Sequence, residues 1–61
     1  MKDFITVQNC INGYHAVYMT YDAVFGEYMP WQGGFGYYKT RERAEAEARS
    51  WAEAEGVECK C

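Results

Sequence analysis

Residues 40–56 read Thr40-RERAEAEARSWAEAE-Gly56, and the remainder of the chain has to be arranged around them. Thr40 is a good helix N-cap, and Gly56 suits the left-handed position just past a helix end. The residues between them are alanine-rich and include no proline, glycine or β-branched side chain, a composition of strong helix formers. Arg41–Glu45, Arg43–Glu47, Glu45–Arg49 and Arg49–Glu53 stand four apart, each pair being worth ~0.2–0.5 kcal/mol on a helix surface. Ala44, Ala48, Trp51 and Ala52 fall on one stripe: small side chains for close approach to a flat surface, and one indole to plug a gap. The spacing predicts a helix over residues 41–55 that lies on a sheet supplied by the first 38 residues.

That part of the chain reads as three strands. Residues 3–11 alternate, with Ile5, Val7 and Ile11 on one side and Phe4, Thr6, Gln8 and Cys10 on the other. Asn12-Gly13 is the strongest short hairpin signal, and residues 14–21 form the return strand. With Ile5 and Val7 toward the helix, Val17 and Met19 are expected as their core partners, leaving Phe4, Tyr14 and Tyr18 on the uncovered face. This assignment turns on register, because a one-residue slip exchanges the faces. A third strand is expected over residues 27–38, with Pro30 marking it as an edge. Gln32–Gly36 (QGGFG) is its loosest part, and the residues after Gly56 could add to a sheet edge. The expected fold is α+β: a three-stranded antiparallel β-meander packed against one C-terminal α-helix, β-β-β-α, in a single domain over residues 1–61.

The chain has 61 residues, of which 18% are aromatic, and carries a formal charge of −3. A domain of this size buries only about 60% of its extended-chain surface, so one helix cannot hide every ring. Phe4, Tyr14, Tyr18, Tyr28, Trp31 and Phe35 are therefore expected at a protein partner or a second copy of the chain, since tyrosine and tryptophan anchor such interfaces. Glu45 and Glu53 on the acidic helix face would steer the domain to a basic protein surface. The net charge disfavours direct nucleic-acid binding, although a tyrosine-rich sheet could stack single-stranded bases, an alternative reading.

The remaining chemistry is sparse. QGGFG matches no nucleotide-binding fingerprint. Cys59 and Cys61 with Cys10 and His15 lack the spacing of a zinc site. His15 is the only histidine, and no nucleophile or paired carboxylate is readable beside it. The expectation is a protein that is not an enzyme, with no cofactor or metal. No apolar run spans a bilayer and no secretory leader is evident, so a cytoplasmic protein with reduced thiols is expected; the odd cysteine count argues against a disulfide framework.

Two resemblances follow from particular stretches. The order strand–NG–strand–strand–helix, with YHAV (residues 14–17, read as Tyr14, His15, Ala16, Val17) opening the second strand and residues 36–56 leading through the helix, resembles the small HicB-type antitoxin core. That resemblance implies a half-RNase-H-like arrangement and a module that covers a toxin's active site, without the DNA-binding extension. The stretch from Pro30 to Gly56, with the small size and negative charge, is similar in style to short acidic anti-defence proteins of phages and mobile elements, anti-CRISPR proteins among them. This second likeness implies stoichiometric inhibition of a host complex by surface occlusion.

Overall fold

The computed structural model describes residues 2–34 and 36–60. Its elements are β1 (Phe4–Cys10), β2 (Gly13–Asp22), β3 (Glu27–Gly33), α1 (Arg41–Glu55) and β4 (Glu58–Lys60). They form one sheet in the order β3-β2-β1-β4. The β1–β2 and β2–β3 pairs are antiparallel, whereas β4 runs parallel to β1. The expected α+β meander and C-terminal helix are present, and the residues after Gly56 complete a fourth strand.

The helix is built as its sequence dictates. Thr40 has the extended backbone of an N-cap, although its side chain makes no capping hydrogen bond. At the other end Gly56 is left-handed (φ 72°). The Gly56 and Val57 N–H groups donate to the carbonyls of Glu53 (3.3 Å) and Ala52 (3.0 Å), which closes the helix in a Schellman motif. Ala44, Ala48 and Ala52 are buried against the sheet, and Trp51 packs beside them.

The hairpin sets the faces differently from the expectation. Cys10 pairs with Gly13, so the two loop residues are Ile11 and Asn12, and Ile5 opposes Tyr18 while Val7 opposes Ala16. Directly opposed residues share a face of an antiparallel pair. Any two-residue loop joins odd-numbered positions of β1 to even-numbered positions of β2. Ile5 and Val7 therefore meet Tyr18 and Ala16 under the helix, with Tyr14 packed at the margin. Val17 and Met19 belong to the opposite face, and Tyr14 and Tyr18 do not. Gly13 sits at φ 124°, and a Cβ there would lie 2.5 Å from the Tyr38 carbonyl oxygen.

The third strand is shorter than expected. It ends at Gly33, and its register with β2 shifts between Tyr18 and Met19, which pair with Gln32 and Pro30. Trp31 is thus the extra residue of a β-bulge on an edge strand, where a proline and a bulge are both tolerated. Beyond it, Gly34 N–H still donates to Ala16 O (2.8 Å), and Tyr38 returns to form a two-bond bridge with Tyr14 (2.8 Å each way).

The helix packs against β1, β2 and β4 but stops short of β3. The core is correspondingly small, and among the described residues Ile5 is its one large side chain with essentially no exposure. Cores of this size rarely supply more than about 3–5 kcal/mol.

Candidate protein-binding surface

Two apolar regions stay outside the helix's footprint. The first is the open face of the sheet. Phe4 and Tyr28 meet edge-on at 4.8 Å, Tyr21 joins Tyr28 at 5.4 Å, and the Tyr28 hydroxyl donates to the Lys2 carbonyl (2.8 Å). Lys60 Nζ lies 4.6 Å from the centre of the Phe4 ring, a cation–π contact. The Lys60 backbone is anchored beside Phe4, Thr6 Oγ1 donating to Lys60 O at 2.6 Å. Farther along, His15 stacks on Tyr37 at 4.7 Å. Between these groups a hollow of about 180 Å³ is lined by Gln8, Val17 and Pro30. Val17 is buried, at 3% exposure, although no helix covers it.

The second region is the β2–β3 hairpin. Because α1 does not reach β3, Met29 and Trp31 emerge uncovered on the strand, and Trp31 is 67% exposed. Its ring meets Tyr18 edge-on at 5.3 Å, while Trp51 tilts against the same tyrosine at 5.8 Å. At the hairpin tip Val24 and Phe25 are 89% and 69% exposed. Their backbone is fixed by Asp22: its Oδ1 accepts from Val24 N (2.9 Å) and Phe25 N (3.4 Å), and its carbonyl accepts from Gly26 N (2.7 Å). Two apolar side chains are thus presented on an ordered turn of a kind usually built from polar residues.

The residues expected at a partner divide accordingly. Phe4 and Tyr28 lie on the open face and Trp31 on the exposed hairpin. Tyr14 and Tyr18 lie on the helix side of the sheet, Tyr14 half-buried at the core's margin and Tyr18 only 9% exposed; the parity of the hairpin is the reason. Phe35 lies outside the described residues. Glu45 is engaged on the helix, accepting from Arg41 Nε at 2.8 Å with Arg49 at 3.8 Å, while Glu53 is exposed in the last turn. Sequence reading missed Val24, Phe25 and Met29. The signal was there for the tip: two apolar residues between Asp22 and Gly26, where solvent-facing polar ones are usual.

Burial lifts the Tyr18 hydroxyl above the ordinary tyrosine pKa, and Asp3 and Glu55 add to the shift. Among the described residues no group of three or more His, Cys, Asp or Glu side chains could hold a metal ion. Nor is any helix among them long and apolar enough to cross a membrane. Cys10 is a free thiol and Cys59 is disulfide-bonded, so the expectation of reduced thiols fails at Cys59. An odd cysteine count excludes complete pairing, not pairing. The residues after Gly56 form strand β4 through Lys60, with Cys61 outside the described residues. Comparison with protein families, with curated proteins and with solved structures finds no match to this chain.

Proposed function

We propose that this chain is a small acidic, non-enzymatic protein-binding inhibitor of phage type, acting in the host cytoplasm by covering part of a host protein complex. The observation that carries the reading is the β2–β3 hairpin, which holds Phe25 and Trp31 about two-thirds exposed on an ordered backbone. Solvent-exposed aromatic anchors on a rigid element are what a protein interface uses as its hot spot. The open-face rings Phe4, Tyr21 and Tyr28 extend the apolar surface. The net charge of −3 favours a basic partner over nucleic acid.

The test is affinity capture from host lysate by the wild type and by the Phe25→Ala/Trp31→Ala double variant. It is followed by titration of the captured protein's own activity with each. One protein retained stoichiometrically by the wild type, inhibited at a 1:1 ratio and lost by the folded variant is the expected result. Equal capture by the folded variant would overturn the hairpin as the contact. Recovery of only the chain itself would make the surface a homodimer interface.

The meander-then-helix order also supports a second reading, a HicB-like antitoxin module that covers a toxin's active site. The captured protein distinguishes the two: a small ribonuclease inhibited at 1:1 favours the antitoxin.

A further inference from the structure

We propose that the groove between the end of β3 and the C-terminal half of α1 is a socket for an arginine side chain of a partner protein. The inference rests on reading the chain as a protein-binding module and names what one contact of that module would recognise.

The groove exists because α1 packs over β1, β2 and β4 and leaves β3 uncovered, while Gly34, just past the end of β3, lies so close to the helix that a Cβ there would be 2.7 Å from Glu47 Oε1. It measures about 660 Å³ and is bounded by Gln32 and Gly34 on the sheet side and by Glu47, Trp51 and Glu55 on the helix. These helix positions are spaced four apart, so they form a second stripe beside the buried alanines. The groove is therefore walled by an indole, two carboxylates and a carboxamide, and among the described residues no lysine or arginine lines it.

Three features favour a planar cation there. The negative end of the helix dipole lies at the last turn, where a cation is stabilising. This helix places Glu53 and Glu55 there and no basic residue, an arrangement unfavourable to the chain alone and relieved by a positive ligand. Trp51 offers the aromatic side chain on which a guanidinium stacks best. A carboxylate and a carboxamide match the rigid donor fork of arginine better than the point charge of lysine. Trp31, exposed against the other side of Tyr18, continues the apolar surface from the groove toward the hairpin.

The experiment is a titration of the ¹⁵N-labelled full chain with a blocked Gly-Arg-Gly peptide, read at the Trp51 indole N–H and the Gly34 amide. Peptides carrying citrulline or lysine in place of arginine are run alongside. Saturable shifts at those two positions are expected with arginine and none with citrulline, which has the same shape without the charge. Glu55→Gln, at an exposed position, is expected to weaken the arginine peptide roughly two- to fivefold, as loss of one partly screened ion pair would. Absent shifts, an equal response to citrulline, or unchanged affinity in Glu55→Gln would overturn the socket. An equal response to lysine would overturn the guanidinium assignment. Because no partner is needed, a negative result here beside retained hairpin-dependent capture removes the socket alone. Loss of the capture result would instead remove the binding-module reading.

Discussion

The Tyr18 hydroxyl donates to Asp3 Oδ2 at 3.2 Å, tying the middle of β2 to the residue just before β1. The ring beneath that hydroxyl belongs to the core cluster with Ile5, Val7, Ala16 and the helix alanines. Tyr18 therefore has a structural task at both ends of its side chain. Tyr18→Ala is expected to leave the chain unfolded, read as lost near-UV circular dichroism, because it removes the largest side chain shared by sheet and helix.

Tyr18 also predicts a pH dependence. Burial first, then Asp3 and Glu55, hold its folded-state pKa above the ordinary value of about 10. The folded chain keeps that proton where the unfolded chain gives it up. Its contribution is complete below the unfolded value and disappears as pH rises through the folded one. Urea midpoints should accordingly fall on the alkaline side of about pH 10, and Tyr18→Phe should flatten that fall while lowering the midpoint slightly at neutral pH. An alkaline limb of equal slope in both proteins would contradict this account.

The alanine stripe predicts a contrast along one helix. Ala48 has no exposure, whereas Ala46 faces solvent. Ala48→Leu is expected to cost about 1–3 kcal/mol through overpacking, a large part of so small a core's stability. Ala46→Leu should stay within about ±0.5 kcal/mol. Thermal unfolding followed at 222 nm measures both.

Gly13 joins the hairpin to the bridge that returns from residue 38. A Cβ at that position would meet the Tyr38 carbonyl, a backbone atom that cannot rotate away, and φ is positive there. Gly13→Ala should cost about 1–3 kcal/mol and speed amide exchange at Tyr14 and Tyr38, whose N–H groups form the bridge.

The two tryptophans should be separable by quenching. Trp31 is 67% exposed, while Trp51 is half-buried between the sheet and the groove. Trp51→Phe, retaining Trp31, should be quenched by acrylamide more steeply than Trp31→Phe, retaining Trp51. The reverse order would place the helix closer to β3.

The helix was readable in the sequence to its ends, because its signals are local: Thr40, Gly56 and the spacing of Ala44, Ala48 and Ala52. The edge position of β3 was readable from Pro30 and the hairpin from Asn12-Gly13. The faces were not, although the parity of a two-residue loop contains the answer. Alternation in β1 and β2 marks two faces but not which face of one strand continues which face of the other. The loop's parity decides that, and the pairing of Ile5 with Tyr18 is its result. The exposed hairpin was missed for a different reason. How far a helix reaches across a sheet depends on its offset, which no residue of β3 encodes, so Met29 could not be told from a core position. The groove beside Trp51 follows from the same offset.

Strand β4 carries a consequence for how the chain comes into being. Its Lys60 carbonyl is bound by Thr6, 54 positions earlier, and Glu58–Lys60 pairs with Phe4–Thr6 along one side of β1. While a ribosome is still making the chain, that side of β1 is an open strand edge, of the kind that recruits other chains. Completion of the sheet waits until residue 60 is free to pair, so the β1–β2 hairpin can form well before the fourth strand covers that edge.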